Sequence, residues 1–254
     1  MRLGQNFLAD TNLLGAIVRA AGVGPQDVVL EVGGGEGVLT ARLAPIARTV
    51  HVVELDERLR PALEAIASQH GNVRLHFEDA MKADLSSLDP TPTRMVANLP
   101  YSIATPLILR TIAELPGVDA WTLMVQREIA DRLRARPWTR AYGSPSVLVQ
   151  LACEVEMLRT VDRAVFTPRP RVDSALIALR RIGPAAPPAV AALVRDAFAH
   201  RRKSLARSLE HARPGLREPA REALAELGLA PDARAEQLAP EQFTALADAL
   251  GVAA

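Results

Sequence analysis

Short apolar runs alternate with amphipathic stretches along most of the chain. Six runs stand out, at 28–32, 49–53, 73–77, 95–97, 121–125 and 175–179. Apolar runs of this length, bounded by glycine, proline or acidic residues, are typical of strands covered on both faces. Between them apolar residues recur at helical spacing, as at Leu13, Leu14 and Ile17. This alternation predicts an α/β fold with a doubly wound sheet.

Local signals also predict where several helices begin and end. Asp10 or Thr11 is suited to cap the first helix, and Thr105 followed by Pro106 predicts an N-cap and a first helical position. A charged helix is predicted over 127–136.

Residues 183–188, Gly-Pro-Ala-Ala-Pro-Pro, have the composition of a linker. The chain beyond them is rich in alanine and leucine at helical spacing, and no strand pattern recurs. We therefore predict a domain at 1–182 and a small all-α domain at 183–254. His200 to Lys203 is predicted to lie within a helix whose apolar stripe includes Val194, Phe198 and Leu205.

Composition narrows the class of protein. With 254 residues and 49% hydrophobic content the chain can bury a sizeable core. Its single cysteine, Cys153, excludes an internal disulfide, and the first six residues lack the apolar stretch of a signal peptide. No apolar run approaches the ~18 residues of a membrane span, and no metal-ligand spacing is present. We expect a cytoplasmic protein without a metal ion.

Charge is distributed unevenly. The formal net charge is +1, but 159–217 carries thirteen Lys or Arg and four Asp or Glu, so the rest of the chain is net acidic. A clustered excess of arginine is typical of a surface that binds a polyanion such as nucleic acid.

A glycine-rich turn follows the first apolar run. Glu31 precedes three glycines spaced as E-x-G-x-G-x-G, at Gly33, Gly35 and Gly37. A dinucleotide site would have G-x-G-x-x-G against a pyrophosphate. A carboxylate repels phosphate and attracts the ammonium group of an amino acid, so S-adenosylmethionine fits better. Glu54, 23 residues after Glu31 and at the end of the next run, is suited to accept from both ribose hydroxyls.

Two further strand ends carry candidate chemistry. Asp79 follows the third run, where it is suited either to the adenine amino group or to an ordinary turn. Asn98, Leu99, Pro100 and Tyr101 follow the fourth run. The amide oxygen of Asn98 is an acceptor for an exocyclic amine, and Tyr101 offers a ring for stacking. An ordinary turn also favours asparagine and proline, and on these residues alone that alternative stays open.

A later loop combines one aromatic ring with prolines and arginines. Phe166 lies close to Arg169 and Arg171, a composition typical of single-strand or flipped-base recognition; a ring packed beneath the loop is the alternative. Arg202 and Lys203 are candidates for phosphate contacts or for a solvated basic face.

Together these residues resemble the ribosomal RNA adenine N6,N6-dimethyltransferases, specifically the bacterial KsgA type that acts on small-subunit RNA. The matching segments are Leu3 to Leu8, Glu31-Val32-Gly33 with Gly35 and Gly37, Glu54-Leu55-Asp56, Asp79-Ala80, Asn98 to Tyr101, Tyr142-Gly143, Phe166 to Val172 and Arg201 to Leu205. The match runs nearly end to end, and the joint order and spacing are specific.

The resemblance implies a Rossmann-like class I methyltransferase fold and a set of roles. Asn6 and Leu8 would close over S-adenosylmethionine and Gly33 would lie beneath its methionine part. Glu54 would bind the ribose and Asp79 the adenine amino group. Tyr101 and Phe166 would sandwich the target base, while Asn98 and the Leu99 carbonyl would accept from its amino group.

The implied partner is ribosomal RNA in an immature small subunit, bound by a monomer. Two alternatives share the motifs: the resistance-conferring dimethyltransferase of large-subunit RNA, and a non-catalytic RNA-binding assembly or transcription factor. The basic leader that usually precedes the Gln-Asn-Phe-Leu segment is almost absent, so we expect few RNA contacts there.

Overall fold

The computed structural model describes residues 7–8 and 10–252, with side chains from residue 10 onward. In this part of the chain the strands are β1 (Phe7–Leu8), β2 (Val28–Val32), β3 (Thr49–Glu54), β4 (Val73–Phe77), β5 (Arg94–Asn98), β6 (Ala120–Gln126), β7 (Cys153–Val161), β8 (Phe166–Thr167) and β9 (Ser174–Arg181). The helices are α1 (Thr11–Ala21), α2 (Thr40–Leu43), α3 (Arg60–Gln69), α4 (Ala104–Glu114), α5 (Arg127–Leu133), α6 (Ser144–Ala152), α7 (Pro188–Phe198), α8 (Leu205–Ala212), α9 (Arg217–Glu226) and α10 (Pro240–Ala249).

A seven-stranded sheet organises the first of two compact units, which comprises 1–130 and 154–181. Its strand order is β4-β3-β2-β5-β6-β9-β7, and β2 to β6 run parallel while β9 is antiparallel to β6. Every residue of β2 and β3 is buried, as expected for strands covered on both faces. The predicted doubly wound sheet is confirmed.

The strand order places a topological switch between β2 and β5. From β2 the chain proceeds outward through β3 to β4, whereas β5 and β6 extend from the other side. In open α/β sheets, ligands bind outside the carboxyl ends of the strands at such a point.

A second unit comprises 131–153 and 182–254. Its aromatic core contains Tyr142, Phe198 and Phe243, whose successive ring centroids lie 5.8 and 5.7 Å apart. The phenol of Tyr142 donates to the Leu238 carbonyl at 2.8 Å. Residues 131–153 thus pack with the C-terminal helices, whereas the predicted second domain began at residue 183. The division into functional domains stays a prediction.

The start of α1 follows the predicted capping, whereas the start of α4 does not. Asp10 caps α1 by accepting from the Leu13 N–H at 2.8 Å, as predicted, and the helix ends at Gly22 with a left-handed φ of 57°. The prediction of Thr105 as an N-cap was wrong, because α4 begins at Ala104 and Pro106 lies in its first turn. That position suits proline, since no helical carbonyl needs its missing N–H.

Two other helix predictions need correction. The helix predicted over 127–136 ends at Leu133, where the Gln150 side chain donates to the carbonyls of Leu133 and Ala135 and so replaces helical bonding. His200 to Lys203 forms a turn between α7 and α8. The Leu205 N–H donates to the Ala233 carbonyl, which interrupts helical hydrogen bonding at that point.

Among residues 7–8 and 10–252, no helix is both long and apolar enough to cross a bilayer. In the same part of the chain, no cluster of three or more His, Cys, Asp or Glu side chains could hold a metal ion.

Candidate active site

Four of the predicted site residues lie at the carboxyl ends of four adjacent parallel strands. Asp79 follows β4, Glu54 ends β3, Gly33 follows β2, and Asn98 ends β5. Four segments that are distant in sequence therefore meet at one edge of the sheet, beside the topological switch.

The glycine turn after β2 requires glycine at several points. Gly33, Gly35 and Gly37 have φ values of 80°, 58° and 79°, the left-handed region that bulky side chains avoid. A Cβ on Gly33 would meet the Pro100 ring at 3.4 Å, and one on Gly37 would lie 2.2 Å from Ile66. The turn thus passes close to the turn after β5.

Glu54 anchors this turn through both of its carboxylate oxygens. Oε2 accepts from the Gly35 N–H and Oε1 from the Asp56 N–H, each at 2.9 Å. A carboxylate has about four acceptor positions, so each oxygen retains capacity for another donor. Two adjacent hydroxyls such as those of a ribose match this arrangement.

The Asp79 carboxylate is hydrogen-bonded on one side and partly exposed to solvent. Its Oδ1 accepts from the Met81 N–H at 2.9 Å, and Lys82 Nζ lies 3.9 Å from Oδ2. Its side chain is about one-third exposed, so the carboxylate is accessible to an amino group.

Glu31 is buried in this structure, so a contact between its carboxylate and an ammonium group stays a prediction. It is 1% exposed, and its Oε2 accepts from the Thr40 hydroxyl at 2.7 Å. Burial raises the pKa of Glu31 to about 8; the nearby Glu54 carboxylate acts in the same direction and the Thr40 hydrogen bond opposes it.

A pH prediction follows for the cofactor-free protein. The folded state holds the Glu31 proton more tightly than the unfolded chain does. The stabilisation that protonated Glu31 gives the folded state is therefore complete below pH ~4.5, and it is lost as pH rises toward about 8. Relative to the Glu31→Gln variant, we expect the urea-unfolding free energy of the wild type to fall by on the order of a few kcal/mol from pH 5 to pH 9. Equal slopes for both proteins would contradict this.

The turn after β5 is held from several directions. Leu99 is buried and its N–H donates to the Met124 carbonyl at 3.1 Å, while the Pro100 carbonyl accepts from Ile103. Asn98 is partly exposed at the strand end. These contacts fix the backbone that follows Asn98.

Tyr101 is half-buried, and its hydroxyl lies 2.6 Å from Ser174 Oγ. Burial raises the pKa of Tyr101, so the phenol stays neutral at physiological pH. Ser174 is fully buried at the start of β9. Sequence reasoning missed this contact, because a serine at the start of a strand carries no signal that it orients a ring 73 positions earlier.

Phe166 packs within the core of the first unit in this structure. It is 3% exposed and shares a cluster with residues such as Leu13, Leu14 and Leu176. The backbone of β8 pairs antiparallel with β1, with Leu8 opposite Phe166. The ring presents no open face in this conformation, so its role in stacking stays a prediction.

The remaining predicted residues are dispersed. Arg169 and Arg171 are exposed, and Arg169 lies 3.7 Å from the Asp162 carboxylate. In the second unit Arg202 is exposed, while the partly buried Lys203 contacts the His211 ring. Asn6 and the side chain of Leu8 lie outside the described residues.

Arg110 is a further residue that sequence reasoning missed. Its guanidinium donates to the carbonyls of Ala80 and Ala83, each at 2.6 Å, and to Glu114 at 2.8 Å. It therefore fixes the turn that begins at Asp79 to helix α4. Nothing in the local sequence distinguishes this arginine from its many exposed counterparts.

We expect Arg110→Lys to weaken cofactor binding by about 3- to 10-fold, because an ammonium cannot reproduce the two-pronged contact. Methyl transfer at saturating cofactor should change little. Calorimetric titration with S-adenosylmethionine measures the first effect, and Arg180→Lys, at an exposed pair with Glu154, is the matched control. Unchanged affinity in the Arg110 variant would exclude the positioning role.

Comparison with known proteins decides the family. The model of the family "Ribosomal RNA adenine dimethylase" matches residues 1–251. The chain belongs to the ribosomal RNA adenine dimethylase family. It is accordingly an enzyme, an adenine dimethyltransferase that uses S-adenosylmethionine, and the predicted resemblance is confirmed.

Relatives and solved structures of this family extend the match. Ribosomal RNA small subunit methyltransferase A of Rubrobacter xylanophilus is 49% identical over 248 residues, covering 96% of this chain and 92% of the relative. A dimethyladenosine transferase from Plasmodium falciparum has a TM-score of 0.81 at 26% identity, covering 97% of this chain and 98% of the other. The 23S rRNA methyltransferase ErmE has a TM-score of 0.70 at 31% identity, covering 97% and 100%. The predicted class I methyltransferase fold is confirmed.

Proposed function

We propose that this adenine dimethylase acts on small-subunit ribosomal RNA during subunit maturation, at a site centred on Asn98. The site assignment is supported by one observation: the ends of four neighbouring strands carry Asp79, Glu54, Gly33 and Asn98. The small-subunit assignment is supported by the 49% identity to the small subunit methyltransferase A of Rubrobacter xylanophilus over 96% of the chain.

The residues at this edge fit S-adenosylmethionine. The turn formed by Gly33 and Gly35 leaves backbone exposed where the methionine part would lie. Glu54 would accept from the ribose hydroxyls, and the accessible carboxylate of Asp79 from the adenine amino group. Asn6 and Leu8 are proposed to complete this site. When bound, the cofactor supplies an electrophilic methyl group.

Asn98 and Leu99 are proposed to activate the target. The adenine amino nitrogen is a poor nucleophile, because its lone pair is conjugated with the ring. If its two N–H groups donate to the Asn98 amide oxygen and the Leu99 carbonyl, the nitrogen becomes more pyramidal. These oxygens would also stabilise the positive charge that grows on nitrogen as it bonds to the methyl carbon and the bond from that carbon to the cofactor sulfur breaks. The excess proton then leaves to solvent, so no strong general base is required.

Pro100 and Tyr101 are proposed to shape the base pocket. Pro100 stiffens the turn, and the Ser174 contact holds the Tyr101 ring in one orientation. Phe166 would provide the opposite face of a sandwich, which requires its ring to leave the core position described above. Stacking would offset part of the cost of extruding the base.

Contacts to the RNA backbone are proposed for Arg169, Arg171, Arg202 and Lys203. They lie in the basic segment 159–217, and three of them are exposed. We also propose that the protein acts as a monomer in the cytoplasm.

Incubation of immature small and large subunits with isotope-labelled S-adenosylmethionine, followed by mass mapping of both ribosomal RNAs, tests the choice of substrate. We expect label only at adenines of the small-subunit RNA. Label confined to the large-subunit RNA would contradict the proposal and favour the resistance type.

A further inference from the structure

Trp138 is exposed in a way that the fold does not explain. The chain has two tryptophans, and Trp121 is fully buried with its indole N–H donating to Thr111 at 3.1 Å. Trp138 is 73% exposed. A large ring in water contributes little packing energy to the folded state, so its position calls for another explanation.

The backbone at Trp138 is in an unfavourable conformation. Its φ is 69°, and among residues 7–8 and 10–252 it is the one non-glycine residue with a positive φ. Bulky side chains avoid this region, which glycine and asparagine enter readily. Strain of this kind persists where the surrounding structure imposes it.

Contacts within the second unit hold the loop on both sides of the ring. The Trp138 N–H donates to the Glu236 carbonyl at 2.8 Å. Arg201 donates to the Arg140 carbonyl at 3.0 Å and to the Glu236 carboxylate at 2.9 Å. The indole is therefore presented from a fixed loop.

The surroundings of the ring are cationic. Arg136 and Arg140 flank it in sequence, both are exposed, and neither pairs with a carboxylate in the described part of the chain. Of the nearby acids, Glu236 is paired with Arg201, and Asp131 with Arg134. An exposed ring flanked in sequence by two exposed arginines suits stacking on an unpaired base whose phosphates lie alongside.

We propose that Trp138 is a stacking platform for an unpaired base of the substrate RNA, and that Arg136 and Arg140 contact the neighbouring phosphates. This inference rests on the proposed function, because it takes ribosomal RNA as the partner. It adds a contact outside the methyl-transfer site, on the unit formed by 131–153 and 182–254.

Binding of a single-stranded RNA 12-mer tests the stacking. For the wild-type protein we expect tryptophan fluorescence to be quenched, because Trp121 is buried and Trp138 is the accessible emitter. Anisotropy of a labelled 12-mer should show about tenfold weaker binding for Trp138→Gly. Trp138→Phe, which keeps a ring, should lose less. The wild type and Trp138→Gly should bind a double-stranded RNA of equal length with equal affinity.

The glycine variant separates lost stacking from lost folding. Glycine relieves the strain at this φ, so its urea-unfolding midpoint should be no lower than that of the wild type. Arg136→Gln and Arg140→Gln remove the two proposed phosphate contacts. Arg221→Gln, at an exposed pair with Glu218, is their control for the loss of one positive charge.

Steady-state methylation of small subunits provides the second readout. Trp138→Gly should raise KM for the subunit and leave kcat and cofactor affinity unchanged. If Trp138→Gly keeps both the wild-type affinity for the 12-mer and the wild-type KM, the inference is overturned. A raised KM with unchanged 12-mer affinity would also overturn it, because the ring would then contact a ribosomal protein. If the wild type binds the 12-mer through Trp138 but methylates no small-subunit RNA, the proposed function fails and the stacking surface stands.

Discussion

Replacement of Asn98 by alanine is expected to lower the single-turnover rate of methyl transfer by about 10²- to 10³-fold, the cost typical of removing one group that stabilises transition-state charge. Cofactor affinity should stay within about twofold, because Glu54 and Asp79 lie on other strands. Asn98 ends β5 beside a turn fixed by the hydrogen bond from Leu99 to Met124. The loss should therefore concern one amide oxygen and not the shape of the turn.

Rapid quenching with enzyme in excess over RNA measures this rate directly. Asn98→Asp is the matched variant, because it retains an acceptor oxygen at the same distance from the backbone and should recover part of the rate. A single-turnover rate for Asn98→Ala equal to that of the wild type would refute the role assigned to Asn98.

The Glu54→Gln variant is expected to bind S-adenosylmethionine about 10- to 100-fold more weakly. Both carboxylate oxygens accept backbone N–H groups, from Gly35 and Asp56. A glutamine would turn an N–H₂ group toward one of these donors, so the turn loses a hydrogen bond and the ribose loses an acceptor. Hydrogen bonds to charged groups contribute about 1.5–3 kcal/mol each, which sets the size of the effect.

Isothermal titration of S-adenosylhomocysteine, the product, measures this affinity without turnover. Glu64→Gln removes an exposed carboxylate paired with Arg60 on helix α3 and is the matched control. At saturating cofactor the Glu54 variant should recover most of its methyl-transfer rate. Wild-type affinity in Glu54→Gln would contradict the assignment of this residue to the ribose.

Six of the strands that the structure describes, β2 to β6 and β9, were predictable from sequence, whereas β1, β7 and β8 were not. The same pattern predicts where the candidate site lies. A buried parallel strand needs an uninterrupted apolar run, and polar residues can follow only where the run ends. Glu54 and Asn98 each occupy such an end, and Asp79 follows the edge strand β4, in which apolar residues alternate with Arg74 and His76. The rules of sheet topology therefore place the three together.

Features that depend on long-range contacts were not predictable. The apolar stripe through Phe198 and Leu205 is compatible with one helix, and only the bond from Leu205 to Ala233 breaks it at 200–203. The burial of Glu31 depends on Thr40, and the orientation of Tyr101 on Ser174. None of these partners has a composition or spacing that identifies it in advance.

Trp138 illustrates a different limit. Its residue type predicts burial, whereas a loop held by Glu236 and Arg201 keeps it in water with a positive φ. Sequence patterns report what a residue prefers, and here tertiary contacts override that preference.

The central claim is that the carboxamide at residue 98 directs a methyl group onto the N6 of adenine in small-subunit RNA. The most direct measurement is nucleoside mass spectrometry of that RNA after incubation with deuterium-labelled S-adenosylmethionine and either the wild type or Asn98→Ala. We expect labelled N6,N6-dimethyladenosine with the wild type and only a trace with the variant at equal cofactor occupancy. Equal amounts from the two proteins, or label on any other nucleoside, would contradict it.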